Sequence, residues 1–176
     1  KELLHSCDFS FFCDTFIHME NIGTPKFGSI KSMERVQLLA DARNACMSRP
    51  NDLSEYDYII WVEPDIEYSV SDVESSIQGC VNGMDICSPK SYIGNHQLYD
   101  TWATRYLSAN THTPEVEGYE QMYSTWNCFC VFNAQGFIQG ARFLGGDCDT
   151  VRICEEFRRL GFTRIYMSAQ WVRHVG

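Results

Sequence analysis

Residues 57–67 of this chain read DYIIWVEPDIE, and they decide how it folds. The segment begins as an apolar, β-branched and aromatic run, which is typical of a buried strand. It ends in three carboxylates, Glu63, Asp65 and Glu67, with Pro64 after the first of them. Because proline donates no hydrogen bond to a sheet, the strand should stop near Glu63. Open α/β sheets bind ligands at the carboxyl ends of their strands, so we expect this tip to hold a divalent metal ion and, through it, a diphosphate.

The rest of the chain predicts strands that alternate with helices, which indicates a layered α/β sheet. Residues 91–123 are polar and aromatic with weak periodicity, so we interpret them as an active-site loop region with one short helix near 99–107. Ser32 is placed to cap the first helix, and Ser69 or Ser71 the second. The predicted helices cover 33–48, 69–78 and 150–160, and the other predicted strands cover 8–17, 84–88, 126–132 and 164–167.

Length and composition indicate one globular domain over residues 1–176. Hydrophobic residues make up 44% of the chain and aromatic residues 14%, and no apolar run approaches the length of a membrane span. The formal net charge of −9 argues against binding to nucleic acid, which needs clustered Lys and Arg. A phosphate-containing ligand would therefore need a cation as an intermediary.

The chain has nine cysteines and no Cys-x-x-Cys pair, which disfavours a structural zinc site. Several of them lie among apolar residues, so we favour reduced thiols over disulfides, and reduced thiols favour the cytoplasm. Residues 2–7 read like the end of a helix. We therefore expect an earlier strand and part of a helix to be missing from this sequence.

Glu63 and Asp65 are spaced so that both carboxylates can reach one ion. Mg²⁺ and Mn²⁺ prefer carboxylate and phosphate oxygens, and they are often held by one or two protein carboxylates together with a substrate diphosphate. The plain alternative is an acidic surface turn. The abrupt change from a Trp-containing strand to three carboxylates is what favours the metal ion.

A strand with this acidic end resembles the Asp-x-Asp strand of nucleotide-sugar glycosyltransferases that have the GT-A fold. Four further segments resemble the cryptococcal capsule-associated mannosyltransferase family. Pro64 and Cys128 depart from the pattern of that family, which has Asn and Gly there, and these departures suit a distant viral or bacterial member, including one from a large algal virus. The four segments are ADARNA at 40–45, DIEYSVSDV at 65–73, LYDTW at 98–102 with Arg105 after it, and STWN at 124–127 leading to Phe132, Ala134 and Phe137.

The resemblance implies a GT-A-like (Rossmann-like) mixed central sheet flanked by helices. It implies a glycosyltransferase that moves a hexosyl or deoxyhexosyl group from a UDP- or GDP-sugar to a carbohydrate acceptor, with retention of the anomeric configuration. Mn²⁺ or Mg²⁺ would be held by Asp65 first and Glu63 second, and completed by His174, with Glu67 as a bystander. The resemblance would also allow a location in the Golgi lumen.

Other segments are expected to bind the donor and the acceptor. Arg43 could contact the diphosphate or the ribose, or hold the metal carboxylates, and Asn44 lies beside it. Aromatic faces stack on sugar rings and Asp or Asn side chains bind hydroxyls, although core packing is the alternative for each Trp. The expected sugar-binding residues are Tyr99, Asp100, Trp102, Arg105, Trp126 and Asn127.

The catalytic carboxylate is left open between Asp149, Asp100 and Asp147. Counting back from Gly161, Asp149 matches an acidic residue of the family. An inverting enzyme would use it as a general base, whereas a retaining enzyme could use it to position the acceptor or the donor sugar. The alternative is that Asp149 caps the following helix.

Two other functions stay open on the sequence alone. A metal-dependent phosphoesterase or nucleotidyltransferase would use the same carboxylates, but it would want a second set of metal ligands, and the other histidines are isolated. A non-catalytic carbohydrate-binding domain would use only the aromatic residues. The sequence does not indicate the nucleotide base, the sugar, the acceptor or the oligomeric state.

Overall fold

The structure is a computed structural model that describes residues 27–48, 52–94, 97–107 and 118–175. The strand predicted over 8–17 lies outside these ranges. No helix within them is both long enough and apolar enough to cross a bilayer. The helices are α1 (Met33–Met47), α2 (Val70–Val81), α3 (Ala134–Ile138) and α4 (Asp149–Arg159), with a short 3₁₀ helix at Leu53–Glu55. The strands are β1 (Tyr58–Val62), β2 (Ile66–Glu67), β3 (Ile86–Ile93), β4 (Gln97–Leu98), β5 (Arg105–Tyr106), β6 (Tyr119–Ser124), β7 (Phe129–Asn133) and β8 (Ile165–His174).

The strands form one mixed sheet, in which six lie side by side in the order β1–β7–β3–β8–β6–β5. β7 is antiparallel to both β1 and β3, β3 is parallel to β8, and β6 is antiparallel to β8 and β5. β1, β3 and β8 therefore run in the same direction, and their carboxyl ends share one edge of the sheet. This arrangement confirms the prediction of a Rossmann-like mixed sheet flanked by helices.

β2 links the end of β1 to the end of β8. Pro64 interrupts the chain after β1, and the backbone then pairs with β8 so that Ile66 lies opposite His174. The Val175 amide donates to the Asp65 carbonyl at 2.9 Å and extends this pairing. Two residues that are far apart in sequence, Asp65 and His174, are thereby brought to the same edge of the sheet.

Apolar clusters on both faces of the sheet hold the helices in place. Along β7, Cys130 and Phe132 belong to one cluster whereas Phe129 and Val131 belong to the other, as expected for a strand that is buried on both faces. Burial of each Phe side chain contributes about 1.5–3 kcal/mol. The first cluster packs with α1, α3 and α4 and includes Trp126, Phe137, Phe143 and Phe157, and the second packs with α2 and includes Ile66, Cys80, Met84 and Tyr166.

The helix starts are determined by local hydrogen bonds. Ser69 caps α2 through a capping box, because its Oγ accepts from the Asp72 amide and Asp72 Oδ2 accepts from the Ser69 amide at 2.7 Å. Ser32 precedes α1 but makes no capping hydrogen bond with its side chain. Asp149 is the first residue of α4, and Cys148 holds the capping position. The side chain of Asp149 is therefore available for contacts other than capping the helix.

Two expectations for the polar region are wrong. Residues 99–107 form no helix, because a turn at 101–103 leads directly into β5. The strand predicted from Trp126 begins only at Phe129, because Asn127 and Cys128 have left-handed φ values of 50° and 62° that a strand cannot contain. Within the same region β6 was not predicted, since its polar sequence YEQMYS gives little apolar alternation.

Candidate functional site

A cleft of about 510 Å³ opens where β1 and β8 end. It is the meeting point of the tip after β1, the start of α1, the turn after β4 and the start of α4. Most of the residues predicted for metal, donor and acceptor binding lie here. Its lining consists of Ile30, Lys31, Arg35, Leu39, Arg43, Glu63, Asp65, Tyr99, Asp100, Thr101, Trp102, Trp126, Cys128, Cys148, Asp149, Thr150 and His174.

Asp65 and His174 form a close pair in this cleft. His174 Nε2 lies 3.2 Å from Asp65 Oδ2, and the side chains are 5% and 47% exposed respectively. The ring of Tyr99 stacks on the imidazole with centroids 3.6 Å apart and an angle of 23° between the planes. The aromatic contact and the burial of His174 fix the imidazole with Nε2 toward the accessible carboxylate.

Asp65 supplies a carboxylate oxygen, which hard divalent ions prefer, and His174 supplies an imidazole nitrogen. Within the described ranges, no three His, Cys, Asp or Glu side chains converge to hold an ion without other ligands. Two adjacent ligands of an octahedral Mg²⁺ at about 2.1 Å lie about 3.0 Å apart, so the 3.2 Å separation fits. Asp65 and His174 are the residues that would hold Mn²⁺ or Mg²⁺ together with substrate oxygens.

Glu63, the other expected metal ligand, is bound to Arg43. Arg43 Nη2 lies 2.8 Å from Glu63 Oε1, and its Nη1 contacts Asp149 Oδ2 on the other side. The guanidinium carbon lies 4.8 Å from the centroid of Trp126. Arg43 is 12% exposed and Asp149 5%, so these charges neutralise one another in a largely buried setting. Arg43 therefore joins the tip of β1 to the start of α4.

Asp100 is a half-buried carboxylate of the cleft. Burial raises the pKa of its carboxyl, while the Ala103 amide, which donates to Oδ1 at 3.2 Å, and the charge of Arg43 oppose that rise. No cation binds its side chain directly within the described part of the chain. A carboxylate with a raised pKa is a stronger base than an ordinary Asp.

The aromatic residues divide between the core and the cleft. Trp126 is 2% exposed and packs against Trp61 and Phe143 at centroid distances of 5.8 and 5.9 Å, so it is chiefly a core residue whose edge reaches the cleft. Trp102 is half-buried, and Lys31 Nζ lies 5.5 Å from its ring centroid. Trp102 and Tyr99 are thus the aromatic side chains that a ligand can reach.

Two predicted site residues, Asn44 and Asn127, lie outside the cleft lining and brace the backbone or the core. Asn44 donates to the Phe143 carbonyl at 2.8 Å and accepts from its amide at 2.9 Å. Asn127 is fully buried, donating to Thr125 Oγ1 at 3.0 Å and accepting from Thr104 Oγ1 at 3.2 Å. Both amides make the hydrogen bonds that buried polar groups require.

Arg105 and Asp147 also lie outside the cleft lining and bind each other. Arg105 Nη2 is 2.7 Å from Asp147 Oδ2, and this hydrogen bond lowers the pKa of the Asp147 carboxyl and raises the pKa of the Arg105 guanidinium. The pair links β5 to the loop before α4. Of the three catalytic candidates, Asp100 and Asp149 face the cleft and Asp147 does not.

Eight residues of the cleft lining were not predicted as site residues, and the four of them with ionisable side chains are Lys31, Arg35, Cys128 and Cys148. Arg35 could have been found, because it lies eight residues before Arg43 on α1 and so on the same helical face. The thiols carry no such signal. Burial raises the pKa of both, which keeps them as neutral thiols in a cleft rich in carboxylates.

A family model described as cryptococcal mannosyltransferase 1 matches residues 5–157. A search of curated proteins finds no match. The matched range contains the tip of β1, α1, the turn at 99–103 and the start of α4, which together build most of the cleft, and His174 lies beyond it. The chain therefore belongs to the cryptococcal mannosyltransferase 1 family and is a glycosyltransferase with a donor and an acceptor substrate.

Proposed function

We propose that the chain transfers a hexosyl or deoxyhexosyl group from a UDP- or GDP-sugar to a carbohydrate acceptor, with Mn²⁺ or Mg²⁺ as cofactor. The observation that carries this proposal is the Asp65–His174 pair in the cleft at the carboxyl edge of the sheet. A divalent ion bound there would neutralise the charge that grows on the leaving diphosphate. It would also explain how a chain of net charge −9 binds an anionic donor.

Asp65 and His174 would bind the ion, while Glu63 would act through Arg43. Since Arg43 binds both Glu63 and Asp149, it holds the tip of β1 and the start of α4 at a fixed separation. Arg43 is thus a positioning residue in our proposal, and its charge is already neutralised by carboxylates of the chain. Tyr99 keeps the His174 imidazole oriented by stacking on it.

Asp100 is our candidate for the carboxylate that reaches the reacting sugar. Asp149 is bound by Arg43, so its carboxylate is already engaged and is not free to take a proton from an acceptor hydroxyl. An inverting enzyme needs a free base at that position, so the clamp favours retention with Asp149 in a positioning role. Trp102 offers an aromatic face to a sugar ring.

Thermal unfolding with nucleotides tests the proposal. UDP or GDP should stabilise the protein only when Mn²⁺ is present, since binding to the folded state raises its stability. Asp65→Ala should abolish this effect, whereas Glu67→Ala, which removes an exposed carboxylate two positions away, should preserve it. Stabilisation by a free sugar without metal would instead indicate a carbohydrate-binding domain, and intact metal-dependent nucleotide binding in Asp65→Ala would refute the assignment.

The proposal that the anomeric configuration is retained needs a separate measurement. The anomeric configuration of the product can be read by NMR during turnover of a nucleotide sugar. Retention is expected. Release of inorganic phosphate or of a nucleoside monophosphate without glycosyl transfer would indicate a phosphoesterase or nucleotidyltransferase.

A further inference from the structure

Two cations at the start of α1 line the same cleft. Arg35, Leu39 and Arg43 recur at intervals of four residues, so one face of α1 presents all three to the cleft. Lys31, just before the helix, lines it as well, with Nζ 5.5 Å from the centroid of Trp102. Neither Lys31 nor Arg35 has a role in the metal site or the catalytic assignment described above.

The cations of the cleft differ in what neutralises them. Arg43 is bound by Glu63 and Asp149. Over the described ranges, by contrast, neither Lys31 nor Arg35 forms an ion pair with a carboxylate, and Arg35 Nη1 donates to the Ile30 carbonyl at 3.0 Å. Lys31 and Arg35 are thus the cleft cations with charge left for an external anion.

Arg35 lines the same cleft as the Asp65–His174 pair. Tyr99, whose ring stacks on His174, lines this cleft as well. An anion that bridges the proposed metal site and the start of α1 would contact both that site and the cations Lys31 and Arg35.

We propose that Lys31 and Arg35 bind the diphosphate of the nucleotide-sugar donor directly, as a second anion-binding element beside the metal site. The inference rests on the proposed function. A leaving nucleoside diphosphate carries more negative charge than one divalent ion neutralises, so side-chain cations would hold the remainder. Arg can bind two phosphate oxygens with its planar guanidinium, and Lys supplies a mobile point charge.

The test is a calorimetric titration of the full chain with UDP and with GDP at saturating Mn²⁺. Replacing both cations (Lys31→Ala with Arg35→Ala) should weaken nucleotide binding about tenfold or more, since charge-assisted hydrogen bonds are the stronger class. Binding should also depend less on salt. Mn²⁺ affinity without nucleotide should stay unchanged, and Lys31→Arg with Arg35→Lys should retain most of the nucleotide affinity.

A matched control is Arg173→Ala, which removes an exposed cation paired with Glu67 rather than a cleft residue. If the wild-type chain binds neither UDP nor GDP with Mn²⁺, the proposed donor class itself fails. If it binds them and the doubly substituted chain binds equally well, only the role of Lys31 and Arg35 is refuted. A raised KM for the acceptor with unchanged nucleotide affinity would likewise overturn the proposal by moving these cations to the acceptor.

Discussion

His174 Nε2 lies 3.2 Å from Asp65 Oδ2, although the two residues come from widely separated parts of the chain. The backbone pairing of β2 with the end of β8 sets this distance. The imidazole is almost fully buried whereas the carboxylate is half-exposed. A ligand can therefore approach the pair from the side of Asp65, while the protein holds the nitrogen in place.

Removal of the imidazole should weaken metal binding selectively. In His174→Ala, Mn²⁺ affinity at saturating nucleotide is expected to fall at least about tenfold, because the proposed site loses one of its two protein ligands. The measurement is a Mn²⁺ titration in which electron paramagnetic resonance reports the concentration of the free ion. Arg173→Ala, which alters the neighbouring side chain, is the control. Equal Mn²⁺ affinity in His174→Ala and the wild type would exclude His174 as a ligand.

Loss of the Arg43 clamp should cost stability as well as activity. Arg43→Met keeps much of the side-chain volume but leaves Glu63 and Asp149 as partly buried carboxylates without a partner, which costs about 3 kcal/mol. Denaturant unfolding measures the change. Arg159→Met, on the exposed face of α4 beside Glu156, should change stability little.

A second substitution separates the ion pairs of Arg43 from its packing. Adding Asp149→Asn to Arg43→Met removes one of the uncompensated charges, so part of the lost stability should return. If the doubly substituted chain is no more stable than Arg43→Met alone, the loss comes from the aromatic contacts of Arg43 with Trp126 and its neighbours rather than from charge.

Asp100→Asn should stabilise the protein at neutral pH while it reduces activity. Burial raises the folded-state pKa of this carboxyl above the ordinary value that it keeps in the unfolded state, so ionisation favours the unfolded state at pH values above the folded-state pKa. The stability advantage of the variant should shrink as the pH falls through that pKa and vanish below the ordinary value, where the wild type is protonated in both states. Denaturant unfolding across this pH range compares the stability of the variant with that of the wild type. A stability advantage that grows toward acid pH would contradict a raised pKa of Asp100.

Asn127→Ala should behave as a structural rather than a substrate-binding substitution. It leaves buried hydroxyls of Thr104 and Thr125 without their amide partner, which costs about 1–3 kcal/mol. KM for the donor and the acceptor should change little in the fraction that stays folded. Unchanged stability together with a raised KM would instead place Asn127 in contact with a substrate.

The elements with strong apolar patterns could be predicted from the sequence. The YIIWV run needs only local rules, and the structure forms β1 there. The prediction that this strand is buried is wrong, because β1 lies at the edge of the described sheet and Ile60 and Val62 are exposed. β6 and the turn at Asn127 and Cys128 could not be predicted in this way. A polar strand is stabilised by its neighbours in the sheet, and left-handed residues other than Gly are held by tertiary contacts.

Several chemical groups of the cleft could be read from the sequence: a strand tip with Glu63 and Asp65, an Arg on the preceding helix, and a His near the end of the chain. How these groups pair depends on the fold. Glu63 binds Arg43 while Asp65 faces His174, because strand pairing and helix packing set distances between residues that are far apart in sequence. Local propensities carry no information on such distances, so the division of the two carboxylates between an arginine and a histidine emerged only from the fold.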